Sequence, residues 1–456
     1  MTNTAHARIE LPATTGPVLT PADDGYRAET AGFQAGYTHR PAVVVGALHA
    51  EDVRAAVEYA ARQSLPVAVQ ATGHGLSVAT DGGVLVNTRR MTDIRIDAAT
   101  RTARVGAGVQ AGELIAAAAA HGLAPLNGSS PSVGVVGYTL GGGLGILARE
   151  FGYAADHVRA VELVTADGRL RRVLPGDELF SAVLGTGGNF GVVTALEMEL
   201  VPVTTVYGGQ LTFPARLVEP AVEAWRLWTA DLPEQLSSAI SMLTLPDLPQ
   251  LPPHLRGQYT ATINIAYTGT ASEGERLVAP LRAIGERLND DLRSMPYLES
   301  HGIYRDPERP HPYTATNALL SELPADAADA FLDATGPASA GGPVVAGFRH
   351  LGGALGRPGP AGIAVDGREA AYVARAITMP QVPADEIRDR LEGIRKTVAP
   401  WTIGANLNFL YGGGDFADET QTREIFGPAT YDRLATLKSK YDPANMFRFN
   451  RNIRPR

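Results

Sequence analysis

There is no cysteine among the 456 residues, so disulfides, thiolate metal sites and cysteine nucleophiles are excluded. No uninterrupted apolar run reaches the ~18 residues that a spanning helix needs, and no membrane span is expected. Basic side chains are in deficit, 40 Lys and Arg against 48 Asp and Glu, for a formal net charge of −8. That balance offers no footprint for nucleic acid or an anionic membrane. The opening MTNTAHARIELPATTGP has no basic start followed by an apolar core. A secretory signal is therefore not expected, and the expected location is cytoplasmic. The histidines are scattered, with none at ligand spacing around His74, so no metal site is expected.

What is present is an ordinary globular composition: 45% hydrophobic and 19% charged residues, with length for two domains. Residues 1–20 read as a loose leader. Residues 39–48 read as a buried strand, 49–65 as an amphipathic helix with an acidic first turn, and 66–75 as a strand running into glycines. Further strands follow at 82–91, 94–109 and 158–174, the last two as hairpins turning at Ala98-Ala99 and Asp167-Gly168. A helix at 110–123 stops at Gly122, and 178–202 reads as a short helix, a glycine-rich turn and a long strand. Near Pro202 the texture changes. Strands such as 259–269 and 371–379 alternate with helices such as 217–232, 273–288 and 385–398, the pattern of an antiparallel sheet with helices on one face. The loops 245–257 and 352–362 are rich in proline and glycine, and a helix at 431–442 precedes the C-terminal segment.

Three glycine-rich turns stand at strand–loop junctions of the first 200 residues. The longest, NGSSPSVGVVGYTLGGGLG at 127–145, suggests backbone lying against a large flat group or phosphate oxygens, although turn chemistry alone also produces such runs. It is no P-loop, since no Lys-Ser or Lys-Thr follows. Gly143, Gly145 and Ala148 fit G-x-G-x-x-A, but the helix after them is too short for a βαβ crossover. The second turn, QATGHGL at 70–76, puts His74 between glycines where a ligand can reach it. The third, GTGGNFGVV at 185–193, offers backbone donors in a nest ahead of a strand.

Together these stretches resemble the berberine-bridge-enzyme-like flavin oxidases of the vanillyl-alcohol-oxidase and p-cresol-methylhydroxylase superfamily. The resemblance runs from about Arg40 to Pro202 and returns in YDPANMFRFNRNI at 441–453. It implies an α+β fold: a two-subdomain FAD-binding domain of the p-cresol-methylhydroxylase type at 1–204 (core 38–203), an inserted antiparallel-sheet substrate domain at 205–405, and a closing segment at 406–456 that completes the FAD domain. It also implies FAD bonded through His74 at the 8α-methyl carbon, cradled by Ala71, Thr72, Gly73, Gly75 and Leu76. Gln70 replaces the arginine of the common R-G-G-G-H pattern. A cysteine tether found in C-P-T-V-G relatives is absent, because Ser130-Pro131-Ser132-Val133-Gly134 stands there, so a single tether is expected. Val133 falls at the family's oxygen gate in its permissive form. Gly137, Gly141, Gly142, Gly143, Gly145, Gly187, Asn189, Gly191, Val192, Val193, Asn450 and Asn452 would complete the FAD envelope.

The resemblance further implies an enzyme that removes hydride from a C–H beside oxygen or nitrogen of a small organic substrate of the secondary-metabolite kind. Dioxygen would reoxidise the flavin to give hydrogen peroxide. Where relatives carry a catalytic tyrosine in Y-x-N-Y, this chain reads Asn406-Leu407-Asn408-Phe409, and phenylalanine accepts no proton. Tyr411, Tyr138 and Tyr313 are the alternative candidates. Losing that tyrosine leaves oxidative cyclisation or oxygenation in natural-product biosynthesis open, as well as flavin binding without turnover.

Overall fold

The computed structural model describes residues 11–245, 247, 249, 253, 255–337, 344–359, 362–379, 383–412 and 419–456. Three sheets organise the chain. The first has the order Val18–Leu19, Val43–Gly46, Val84–Asn87, Val67–Gln70, parallel across its last three strands. The Val43–Gly46 and Val84–Asn87 strands are buried throughout, the uninterrupted apolar pattern of a parallel strand covered on both faces. The Ala50–Arg62 helix lies against this sheet through Val53, Ala56, Val57 and Ala60.

The expected loose leader needs correcting. Residues 1–10 lie outside the described residues, but Val18 and Leu19 pair with Val45 and Val44. The buried Asp52 carboxylate accepts from the backbone N–H groups of Thr15 and Gly16. Two apolar residues can thus add to the open edge of the sheet, because Asp52 holds the turn before them.

The second sheet is antiparallel, in the order Ile94–Asp97, Thr102–Gly106, Val192–Glu199, Val158–Val164, Leu170–Val173. Both expected hairpins form. Gly168 takes the left-handed conformation (φ 74°) that the Asp167-Gly168 turn requires.

Among the described residues the third sheet has nine strands drawn from 205–404, all antiparallel. Four helices, Val218–Trp228, Ala271–Arg282, Ala325–Thr335 and Ala384–Thr397, cover one face through Trp225, Val278, Phe331 and Leu391. Helices on one face were expected, and the other face is left for the first half of the chain. The helix expected over 273–288 ends at Arg282, with Gly285 at φ 154° beyond it. The loop 245–257 falls only partly within the described residues.

After Gly404 the chain returns to the first unit. Asn317 and Asn406 exchange side-chain-to-backbone hydrogen bonds of 3.0 and 2.8 Å as it leaves the large sheet. The Pro428–Tyr441 helix packs on the second sheet's core, and Met446 accepts from Val67 N–H at the edge of the first sheet. A fully buried ion pair fixes this turn: Lys438 Nζ lies 2.8 Å from Asp442. The ammonium also donates to the carbonyls of Asn189 and Phe447, while Asp442 accepts from the N–H groups of Met446 and Phe447. Every charge in this pocket is thus matched by hydrogen bonds, the condition under which buried ions are tolerated. No helix among the described residues is long and apolar enough to cross a membrane.

Candidate functional site

The QATGHGL turn leaves the Val67–Gln70 strand and is held from one side by backbone bonds from Phe33 to Thr72 and from Gln34 to Gly73. Gly73 has φ 73°, and a Cβ there would lie 2.7 Å from Gly32 Cα. Gly75 faces open space. Between them the His74 ring stacks on Phe33, with centroids 3.8 Å apart. Its Nε2 lies 3.0 Å from Ser132 Oγ, which in turn lies 3.1 Å from Ser130 Oγ. Burial first, and the charge of His311 second, push the His74 pKa down to about 4, so the imidazole is neutral at pH 7.

Ser132 belongs to the 130–134 segment, which docks on the N-terminal turn of the Ala111–Ala119 helix through Ala111 N–H to Val133 O and Gly112 N–H to Pro131 O. Gly134 N–H reaches Thr72 Oγ1 at 3.3 Å, so the two turns meet twice. The short Val135–Leu140 helix follows, with Gly137 exposed to open space. The Leu140 carbonyl accepts from Gly185 and Gly187 of the third turn, and Gly188 (φ 88°) again meets nothing within 4 Å. Asn450 Nδ2 donates to the Gly188 carbonyl, 3.3 Å away. The three glycine-rich turns and the C-terminal tail therefore form one continuous arc.

The structure gives several expected contacts a different part. In the 141–145 run the space beside each glycine is filled by protein: Asn408 against Gly141, Val365 against Gly142, Ala154 against Gly143 and the Asn127 carbonyl against Gly145. Their lack of side chains permits this close packing. Asn189 is fully buried; its carboxamide donates to Thr186 and Arg451 carbonyls and accepts from Ile453 N–H, so it pins the tail. Val192 and Val193 lie in the Val192–Glu199 strand with side chains in separate cores, and Gly191 abuts the Val164 carbonyl. By contrast, Asn450 Oδ1 and Asn452 Oδ1 are buried without a partner among the described residues, which leaves each open to a donor. Open glycines at 75, 137 and 188, a neutral histidine and two orphaned carboxamide oxygens fit a large cofactor with polar edges.

The far wall comes from the large sheet and the 406–412 segment. Asn408 Oδ1 accepts from Gly143 and Leu144 N–H at 2.7 and 3.3 Å, and its Nδ2 donates to the Tyr138 carbonyl at 2.9 Å. Of the three candidate tyrosines, Tyr313 spends its hydroxyl on the His74 carbonyl, 2.7 Å away. The Tyr138 hydroxyl is buried without a partner beneath Gly145, and burial raises its pKa. Tyr411 is half-buried and makes no side-chain hydrogen bond among the described residues. Burial raises its pKa, while Arg375 and Arg349 draw it down and Asp306 pushes it up. Phe409 carries two guanidinium groups, those of Arg375 and Arg349, at 5.1 and 5.3 Å from its ring centre.

Phe33, Asn408, Arg349 and Arg375 were not expected from sequence. A lone arginine in the apolar strand AYVARAITM was the available signal for Arg375, and the asparagines of Asn406-Leu407-Asn408 for the bonds that Asn408 makes to Gly143, Leu144 and Tyr138.

Comparison with known proteins follows this geometry. Residues 41–174 match the FAD binding domain family, and residues 415–454 match the berberine and berberine-like family. The chain is 30% identical to (R)-6-hydroxynicotine oxidase of Paenarthrobacter nicotinovorans, over 96% of this chain and 97% of that protein. The crystal structure of 6-hydroxy-D-nicotine oxidase from Arthrobacter nicotinovorans superposes with a TM-score of 0.81 at 27% identity, covering 97% and 99% of the two chains. Glucooligosaccharide oxidase from Acremonium strictum, described with a 6-S-cysteinyl, 8α-N1-histidyl FAD, shares the fold: TM-score 0.82, 18% identity, 97% of each chain covered.

Proposed function

This chain belongs to the berberine-bridge-enzyme-like FAD-linked oxidoreductases, and from that premise we propose that it oxidises a small organic substrate with FAD tethered to His74 alone. The arrangement of His74 is the observation that carries the reading. Nε2 is engaged by Ser132, and the ring is neutral and held flat on Phe33, which leaves Nδ1 as the uncommitted nitrogen. Ser130 stands where a second, thioether tether would need sulfur, and a serine hydroxyl cannot supply it. Asn450, Asn452 and the open backbone at Gly75, Gly137 and Gly188 would hold the cofactor's polar parts. When bound, the flavin accepts a hydride from a C–H beside oxygen or nitrogen and passes the electrons to dioxygen as hydrogen peroxide. Val133, half-buried beside Ser132, is the residue proposed to set dioxygen access.

Tyr411 is the side chain proposed to meet the substrate's proton, because its hydroxyl is uncommitted and two arginines oppose the rise that burial imposes. A second reading, oxidative cyclisation or oxygenation, draws support from Phe409, which the resemblance sets at the family's usual tyrosine.

Acid precipitation tests the tether directly. Yellow colour is expected to stay with the pellet, on a single peptide containing His74, and to move to the supernatant in His74→Ala. Colour in the wild-type supernatant would remove the tether, and a colourless protein would remove the flavin. With a turned-over substrate, peroxide equal to product supports simple oxidation; label from dioxygen in the product would favour the second reading.

A further inference from the structure

We propose that the substrate of this oxidase carries a carboxylate, held by the guanidinium groups of Arg349 and Arg375. The inference rests on the flavin oxidase reading above and adds a substrate class to it.

The two arginines come from neighbouring antiparallel strands, Val344–His350 and Tyr372–Thr378. Arg349 pairs with Val373 and Arg375 with Gly347, so they share one face of the sheet at diagonal positions. The alternating residues Ala346, Phe348, Ala374 and Ala376 are buried beneath the helices on the opposite face. The arginine face is the one that meets the glycine-rich unit: its Val373 and Leu319 pack with Leu144, and Arg349 donates to the Leu144 carbonyl at 3.3 Å.

Neither arginine forms an ion pair among the described residues, and the Arg375 side chain makes no hydrogen bond there. Their guanidiniums lie against aromatic rings. Both lie against Phe409, and Arg349 also lies 5.1 Å from the centre of the Tyr304 ring. Two half-buried guanidiniums on one face of the sheet, both against Phe409 and neither in an ion pair among the described residues, are poorly solvated. An arginine fork with unused donors suits a planar, two-oxygen anion, and rings beside it suit an apolar or aromatic body. Asp306 restricts the ligand's charge. It accepts from Ser129 Oγ and acts on both Tyr411 and Tyr313, which favours a monoanion over a dianionic phosphate. Tyr411 lies within the field of the same two arginines, so the anchored acid would sit next to its uncommitted phenol.

Phe409 therefore has a use beyond lacking a hydroxyl. It is the apolar rest on which both guanidiniums lie.

The test uses the purified yellow holoprotein, titrated with benzoate and with benzamide by calorimetry and by flavin absorbance in parallel. Benzoate is expected to bind at least tenfold more tightly than benzamide. Arg375→Gln should remove at least that factor for benzoate while leaving benzamide affinity and flavin content unchanged, and Arg375→Lys should fall between. Arg349→Gln should repeat the loss for benzoate. A yellow protein that ignores benzoate, or binds both probes alike, overturns this proposal and leaves the oxidase reading standing. So does an Arg375→Gln variant that loses flavin or shifts its reduction potential while still discriminating the probes; the arginines would then serve the cofactor. A protein that purifies without flavin overturns both readings together.

Discussion

The two walls of the site are built by different means. The near wall is backbone: three glycine-rich turns and a returning tail, each stretch continuous in sequence, joined by main-chain bonds such as Leu140 O to Gly185 and Gly187. The far wall is side chain: Tyr304, Arg349, Arg375, Phe409 and Tyr411, drawn from separate strands and loops of the large sheet and the segment after it. A cofactor common to many enzymes demands the same backbone each time, whereas a particular substrate is met by whichever side chains a sheet presents. The contrast implies that damage to the near wall removes cofactor and fold together, while damage to the far wall changes selectivity and leaves the protein intact.

The largest effect is expected where the near wall is locked to the tail. Asp442→Asn leaves Lys438 charged and fully buried without its partner. Removing one member of such a pair costs about 3–5 kcal/mol, to be read as a fall in denaturation midpoint. Flavin content should drop as well, because Lys438 holds the Asn189 and Phe447 carbonyls that flank the cradle. If flavin content survives that loss of stability, the tail is not part of the cofactor site and the contrast between the walls weakens.

A smaller effect belongs to the joint between the walls. Asn408→Ala strips the acceptor from Gly143 and Leu144 N–H and the donor from the Tyr138 carbonyl, all within a partly buried turn. Unmet buried backbone groups put the cost at about 2–3 kcal/mol. Because Asn408 serves both walls, this variant is expected to impair flavin retention and substrate affinity together. Loss of only one would show which wall the asparagine positions.

The difference in construction also explains what could be read from the chain. His74 between glycines, the serine at 130 and the closing 441–453 segment are local patterns, and a local pattern survives in one dimension. The helices on one face of the large sheet were legible for the same reason, since alternation records burial. Glycines were legible as positions but not as purposes. Those at 141–145 accommodate Asn408, Val365, Ala154 and Asn127, and nothing in GGGLG distinguishes room made for protein from room made for a ligand. Asn189 is a related case: an asparagine in a glycine-rich turn suggests a ligand contact, yet its partners at 451 and 453 are brought there by the tail. The pairing of Arg349 with Arg375 was illegible because it depends on strand register, which sets which residues share a face across 26 positions of chain.

The smallest expected effect bears most directly on the far wall. Phe409→Tyr adds one hydroxyl to a half-buried ring and should change stability by less than about 1.5 kcal/mol. It restores the tyrosine that the family resemblance implies at this position, while Tyr411 keeps its uncommitted phenol and both arginines keep their aromatic rest. If Tyr411 handles the substrate's proton, turnover and its pH profile should stay within about twofold of the wild type, since the catalytic phenol is already present. Tyr411→Phe should then lower kcat by a factor of about 10² or more with flavin content unchanged, the range that a positioned acid or base supplies. A gain of tenfold or more in Phe409→Tyr would reverse the assignment. The wall would then have been built for a hydroxyl it lacks, and the two arginines resting on Phe409 would mark where a base was given up in exchange for holding an acid.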